Sequence, residues 1–541
     1  MVGVRGIAAR TLGLLALALS LLVVGVATRS PLALLAGFLA MGTSVWVLHA
    51  WTKSGARDAL VARDGDARFA TVEEVKRAGL MDRDCGDAIV VGALRTWCGV
   101  KPMLLRGAQH VLLTIRSGGG KGVAVIVPTL LRWVHSAVVL DVKGDSLWKQ
   151  TSARRTELGR CGRLAFGSTD SLRWNPLTSV HTVAGADRVA GVLLPAGNHG
   201  GNQTFHDLAC TAWAALVVCE RWAPFVGVED GRAKTPPPGH VGSLCQAYRH
   251  LMCQDPAKAI DLALTYDHLP DEVRHSLRDR LKTLREARAE TLASSVMVAR
   301  NALGAVFGNA TLAANTSGRG DFVLRDLLDA QNPMTVYLSV PKSDGEAARP
   351  LVRLFVELLV DESLRGPGKR KCLLVGDEFC DLQLPSITRA LDQGRECGLR
   401  LLLACQSFAQ IRAQYGSVSA IAANCVQVCA TAGGEDAAQI SQALGSRTEE
   451  YESVSDGPSG RTVTRQRRSV PLLAAHEVLR LPALRCDDRG KAVSPGTMLV
   501  EVPGLGWVQS TQSFWFSNRE TARWKEGQPL ASSRAGWVQR C

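Results

Sequence analysis

Seven short apolar runs, most of them closing on glycine, cysteine or a polar side chain or leading straight into one, recur along the chain and restrict the folds open to it. They are Val111–Ile115, Ala137–Val142, Arg163–Phe166, Met334–Val340, Cys372–Gly376, Leu399–Cys405 and Cys425–Thr431. Runs that are continuously apolar, rather than alternating, mark strands buried on both faces, as in a parallel sheet covered by helices. Helical or loop stretches separate most of them, so the pattern predicts an α/β sheet with helices on both faces. At 541 residues the chain is too long for one core and divides into several domains.

The strand signal lapses between the third and fourth runs. Residues 185–327 read as helices and loops, an inserted all-α domain. Within it, the loop Val226–His240 carries Pro236-Pro237-Pro238, and Asp271–Glu290 reads as a charged helix. Its basic residues, Arg274, Arg278, Arg280, Lys282, Arg285 and Arg288, are interspersed with Asp279, Glu286 and Glu290, the composition of a solvated face. Towards the C-terminus a polar, Arg-rich loop is expected over Tyr451–Arg468, then a helix around Ala475–Leu481 and a strand near Met498–Val502.

The first 52 residues have a different character. Thr11–Thr28 and Ser30–Thr52 are uncharged apolar stretches separated by Arg29. At about 1.5 Å per residue each approaches the roughly 30 Å of a hydrocarbon core. Arg5 and Arg10 precede the pair and Lys53 and Arg57 follow it, which predicts a two-helix membrane hairpin with both ends in the cytoplasm. A formal charge of +13 suits an anionic partner, nucleic acid or membrane surface. The 15 cysteines include no C-x-x-C pair, and most flank apolar residues, so they read as reduced core thiols of a largely cytoplasmic protein rather than metal ligands.

Three of the strand ends carry chemistry. After Val111–Ile115 comes Arg116-Ser117-Gly118-Gly119-Gly120-Lys121-Gly122-Val123. Such a glycine run turns backbone N–H groups around phosphate oxygens, the next helix adds its N-terminal dipole, and Lys121 reaches the outer phosphates. Two residues of the full phosphate-loop pattern are replaced, by Ile115 and by Gly122, the latter removing the hydroxyl that ordinarily ligates Mg²⁺. Ser117 or water is left to supply that ligand. A phosphate loop needs a helix next, although Val123, Val125, Ile126 and Val127 favour a strand and Pro128 interrupts any helix through them.

The run Cys372–Gly376 ends in Asp377-Glu378, a carboxylate to hold Mg²⁺ followed by one to orient or deprotonate water. Leu399–Cys405 ends in Gln406-Ser407, which places Gln406 as a sensor of the γ-phosphate or the attacking water.

In their order and surroundings these residues resemble the type IV secretion coupling proteins, the TraG/TraD-like conjugative ATPases. The resemblance includes the N-terminal apolar pair, Gly65-Asp66-Ala67-Arg68-Phe69-Ala70, His110-Val111, Gly120-Lys121-Gly122-Val123 and Pro128-Thr129-Leu130-Leu131. It continues through Val139-Leu140-Asp141-Val142-Lys143-Gly144-Asp145, Trp174-Asn175-Pro176-Leu177, Asp377-Glu378-Phe379, Gln406-Ser407, Tyr415-Gly416 and the Ile440–Thr448 region. Gly after the loop Lys is common in the TraG-like branch. The chain departs from the family pattern at Ile115-Arg116-Ser117 in place of Ala-Pro-Thr, at Gly119 where Ser or Thr is frequent, and at Phe166-Gly167-Ser168 in place of Phe-Asp-Pro.

The resemblance implies an α/β architecture: a RecA-like P-loop NTPase domain with a parallel sheet, an inserted all-α domain and an N-terminal two-helix transmembrane hairpin. The expected boundaries are 1–10 for a cytoplasmic N-terminus, 11–52 for the hairpin, 53–184 and 328–541 for the two parts of the nucleotide-binding domain, and 185–327 for the insertion. It also implies an inner-membrane ATPase that uses ATP and Mg²⁺, forms a homo-hexamer, and delivers DNA with its relaxase to a type IV secretion channel. Coupling of effector proteins, or ATP-binding scaffolding with little hydrolysis, are the alternatives. The expected site comprises Ser117, Gly118, Gly119, Gly120, Lys121, Gly122 and Val123 around the phosphates, Asp377 on the metal, Glu378 on water and Gln406 as sensor. Arg395, with Arg400 behind it, is the candidate arginine finger. Asp141 and Lys143 line the site without an assigned role.

Overall fold

The computed structural model describes residues 67–537, apart from 83–84, 98, 142–143, 196–202, 254, 340–344, 367–370, 458–459, 518, 525–529, 531 and 536. The hairpin expected over 11–52 lies outside the described residues, as do the cytoplasmic start before it and Lys143. No helix among the described residues is long and apolar enough to cross a membrane. The chain divides into a larger unit, Phe69–Asp436 with Leu479–Cys541, and a smaller one that includes Ala437–Val478.

In chain order the strands are β1 Ile89–Thr96, β2 Gly99–Leu105, β3 His110–Ile115, β4 Ser136–Asp141, β5 Arg160–Leu164, β6 Val228–Glu229, β7 Arg232–Ala233, β8 Met334–Ser339 and β9 Cys372–Asp377. They continue as β10 Leu399–Cys405, β11 Cys425–Ala430, β12 Ser446–Gly457, β13 Gly460–Pro471, β14 Arg485–Cys486, β15 Ala492–Ser494, β16 Thr497–Val502 and β17 Gly506–Thr511. The larger unit holds an 11-stranded sheet ordered β2-β1-β17-β16-β11-β3-β10-β9-β4-β8-β5. From β11 to β5 every neighbouring pair is parallel. The remaining flank is antiparallel, which makes the sheet mixed rather than purely parallel.

Each of the seven apolar runs falls on one parallel strand. The third is displaced: the strand is Arg160–Leu164 rather than Arg163–Phe166, because this edge strand buries Cys161 and Leu164 while Arg160 and Arg163 reach carboxylates at the rim. The antiparallel flank escaped the sequence reading except near Met498. Within β1, Gly92 sits at a break in register, and Pro102 interrupts β2, which lies at the sheet edge where proline is tolerated. Under the sheet, Val111, Leu113, Val125, Leu130, Val139, Val375 and Leu402 belong to one buried cluster. The described cysteines are unbridged, and burial pushes the thiols of Cys161, Cys372 and Cys425 up to about 12, leaving them inert core side chains.

Among the described residues between β5 and β8 the regular structure is helical apart from the two-residue strands β6 and β7, with helices from Val183–Leu193 to Ala310–Asn315. The charged helix ends at Glu286 rather than Glu290, because Ala287 is extended and a new helix begins at Ala289. It buries Val273, Leu277, Leu281 and Leu284, while Arg280 and Arg285 pair with Asp187 and Asp261, each at 2.6 Å.

In the smaller unit the expected polar loop is a two-stranded sheet, with β12 and β13 paired from Ser446↔Pro471 to Gly457↔Gly460. The charges that suggested a loop pair across the strands: Arg467 donates to Glu450 at 2.9 Å and Arg465 to Glu452 at 3.1 Å.

Candidate active site

The carboxyl ends of β3, β10, β9 and β4 lie side by side, since Thr114 is abreast of Cys405, Ala404 of Asp377, and Leu140 of Gly376. Ligands of open α/β sheets bind at this edge.

From β3 the chain enters the loop 116–121. Gly118 and Gly120 have φ of +76° and +91°, values only glycine adopts without strain, and the Gly119 N–H donates to the Arg116 carbonyl at 2.9 Å. A Cβ on Gly119 would lie 2.4 Å from Thr431 Oγ1, 2.6 Å from Ile115 Cγ2 and 2.9 Å from the Arg116 oxygen, so this position has no room for the Ser or Thr of the family pattern. At Gly122 a Cβ would meet nothing within 4 Å. The next segment is helical, against its β-branched composition: Gly122–Ile126 forms a π turn, closed by the Val127 N–H on the Gly122 carbonyl, and an α-helix follows over Val127–Arg132. Pro128 follows directly on the π turn, in the first turn of the second segment, where its fixed φ suits the helix.

Four of the expected residues meet. Lys121 Nζ lies 3.0 Å from both Asp377 Oδ1 and Glu378 Oε1, and Gln406 Nε2 donates to the same Glu378 oxygen at 3.1 Å. The Lys121, Asp377 and Glu378 side chains are only 7%, 9% and 12% exposed, so each charge depends on its partners rather than on water. Glu378 has φ 57° and ψ 45°, a left-handed conformation that turns the chain at the end of β9. The glycines Gly118 and Gly119, Ser117 and Gln406 line one cleft of about 630 Å³ with Thr431 and Leu484.

The donor set fits Mg²⁺. Asp377 Oδ1 is buried and, although ion-paired with Lys121, accepts no hydrogen bond. A single carboxylate beside a phosphate-binding loop is how Mg²⁺, which keeps several waters, is ordinarily held. On the neighbouring strand, Asp141 Oδ2 accepts the N–H groups of Leu147 and Trp148 at 2.7 and 3.1 Å, while its buried Oδ1 has no hydrogen-bond partner. Burial pushes this carboxyl up to about 6, with Asp145 and Asp377 adding to the rise.

Arg395 is not brought to this cluster. It is exposed in the turn before β10, at the entry end of the parallel strands, and reaches the Asn424 carbonyl. Arg400 is buried at the same end and donates to the carbonyls of Gln109, Asp87 and Leu105 at 2.8, 2.9 and 3.0 Å, a structural arrangement. Sequence reasoning missed Gln512. Its Nε2 donates to the Gly119 carbonyl at 2.6 Å and its Oε1 accepts from the Gly496 N–H at 3.0 Å, tying the loop to the end of β17. Only the pairing of β17 brings it there, so no local signal marks it.

Comparison with known proteins gives a consistent result. The family described as "Type IV secretory system Conjugative DNA transfer" matches residues 62–530. The conjugal transfer protein TraG of Escherichia coli is 28% identical over 506 residues, covering 84% of this chain and 76% of TraG. VirD4 of Rhizobium radiobacter is 28% identical over 409 residues, covering 71% of this chain and 55% of VirD4. The bacterial conjugative coupling protein TrwB shares the fold, with a TM-score of 0.58 at 17% identity over 88% of this chain and 96% of TrwB. TrwB has also been solved with ADP and Mg²⁺, at a TM-score of 0.55 and 17% identity over 87% of this chain and 96% of that one.

Proposed function

The chain belongs to the type IV secretory system conjugative DNA transfer family, the coupling proteins of type IV secretion, and from that premise we propose that it is an ATPase that drives DNA, with its relaxase, into a secretion channel. One observation carries the reading: Lys121 sits between Asp377 and Glu378 at 3.0 Å from each, with Gln406 on the same Glu378 oxygen. TrwB's binding of ADP and Mg²⁺ on the same fold supports ATP and Mg²⁺ here.

In this reading the phosphates of ATP compete with the two carboxylates for Lys121. When Lys121 turns to the phosphates, aided by the N–H groups of Gly118 to Val123, both carboxylates lose their counter-charge together. Asp377 would hold Mg²⁺, whose chemistry there would be to neutralise phosphate charge. Glu378, released from Lys121 but still abreast of Gln406, orients and deprotonates water. Coupling Lys release to carboxylate release keeps the base occupied until substrate arrives. Ser117 or water would supply the ligand that Gly122, without a hydroxyl, does not.

Arg395, remote from its own site, is suited to act only on the site of a neighbouring subunit, in a homo-hexamer. The two apolar stretches at 11–52 anchor the chain in the inner membrane with its bulk in the cytoplasm, and the +13 charge favours DNA as cargo.

The test is ATP turnover by the full chain, with and without single-stranded DNA, beside Lys121→Thr and Glu378→Gln. Glu378→Gln is expected to retain nucleotide binding and lose at least about 100-fold in turnover, the scale of a general-base contribution. Wild-type turnover no faster than either variant would leave an ATP-binding scaffold as the function.

A further inference from the structure

We propose that Thr431 is a positioning residue of the phosphate loop, whose hydroxyl takes over the Arg116 carbonyl when the Gly119 N–H turns to a bound phosphate; this rests on reading residues 116–122 as that loop. β11 ends at Ala430, paired with Ile115, so Thr431 stands abreast of Arg116 where the loop begins. Its φ of 50° is one that β-branched residues rarely adopt, and such outliers are maintained where the surrounding structure fixes them for a purpose. The conformation packs the side chain against the loop, with Oγ1 only 2.4 Å from where a Cβ on Gly119 would sit. That hydroxyl is buried and has no hydrogen-bond partner.

The loop's own hydrogen bonds give the hydroxyl a role. The Gly119 N–H is engaged by the Arg116 carbonyl at 2.9 Å, and that oxygen is itself 2.9 Å from the same Cβ point that Thr431 Oγ1 approaches. A phosphate cradle requires loop N–H groups to face inward. Turning the Gly119 N–H inward takes from the Arg116 carbonyl the loop donor it has, and another donor is then needed close by. Thr431 is adjacent and has a donor to give. The exchange leaves the carbonyl bonded, satisfies the hydroxyl and frees one N–H for phosphate, while Gln512 holds the Gly119 carbonyl from the other side. Thr431 thereby favours the phosphate-binding arrangement without touching the nucleotide.

The experiment uses the full chain in detergent with ADP and Mg²⁺ as probe, measuring Kd by titration calorimetry and Tm without nucleotide, for wild type, Thr431→Val and Thr431→Ser. Thr431→Val keeps the β-branched shape and loses the hydroxyl. Its Kd is expected to rise about 3- to 10-fold, the worth of one net hydrogen bond, with Tm equal to or above wild type because a buried unpaired hydroxyl has gone. Thr431→Ser should bind within about twofold of wild type, since the donor is kept. Unchanged affinity in Thr431→Val, an equal loss in Thr431→Ser, or a fall in Tm and affinity together would overturn the proposal, the last by making Thr431 merely structural. If Lys121→Thr binds ADP as wild type does, the phosphate-loop reading itself fails and takes this one with it.

Discussion

Removing Lys121 and the Glu378 charge together should destabilise the protein by clearly less than the sum of the two single removals. Nζ stands 3.0 Å from two carboxylate oxygens, and all three side chains are at most 12% exposed. Lys121→Met therefore leaves two buried negative charges facing each other without their cation, and breaking a buried pair in this way costs about 3–5 kcal/mol. Glu378→Gln leaves Lys121 with Asp377 and can still accept through its amide oxygen, so its cost is about 1 kcal/mol. In Lys121→Met/Glu378→Gln only one of the two charges remains, and a recovery of about 1–3 kcal/mol relative to additivity is the usual range for directly contacting groups. Guanidinium unfolding of the three variants and wild type without nucleotide, followed through the transition of the larger unit, gives the coupling. Strict additivity, or a Lys121→Met cost below about 1 kcal/mol, would refute the claim that the carboxylates depend on this lysine.

Three further outcomes are expected. Burial pushes His110 down to about 3, helped by Arg395 and Arg400, so the folded state holds it neutral while the unfolded chain protonates near 6.5. Its contribution is present above 6.5 and is lost as pH falls towards 3, about 5 kcal/mol in all; in acid titrations of stability, His110→Gln should remove that part of the slope. Arg400→Met should lower Tm, since it strands three backbone carbonyls, whereas Arg395→Ala should leave Tm unchanged and, if Arg395 acts across subunits, reduce turnover in a way that mixing with Lys121→Thr protein partly restores.

Most of the nucleotide-site geometry was legible because it is written locally. A continuous apolar strand followed by a polar pair places Asp377-Glu378 and Gln406 at one sheet edge whatever happens elsewhere, and Gly118 to Lys121 form their own turn. What remained hidden depends on partners distant in sequence. Gln512 and Thr431 reach the loop only through the pairing of β17 and β11, and nothing near either residue announces it. The hairpin of β12 and β13 was misread because its stabilising charges, judged one strand at a time, are indistinguishable from those of a solvated loop. Glu450 and Glu452 acquire meaning only opposite Arg467 and Arg465. Tertiary context also decided the segment after Lys121, where a π turn absorbs both the β-branched residues and Pro128.

The two glycines flanking Gly120-Lys121 differ in what evolution or a mutagenesis library can do with them. At 119 a methyl group would collide with backbone as well as side chains, so any substitution displaces the loop. At 122 the space is open and the residue begins the π turn without a left-handed φ. Gly122→Ser is therefore sterically free, and the hydroxyl that other phosphate loops offer to Mg²⁺ lies a single substitution away. Its absence is therefore not for lack of room.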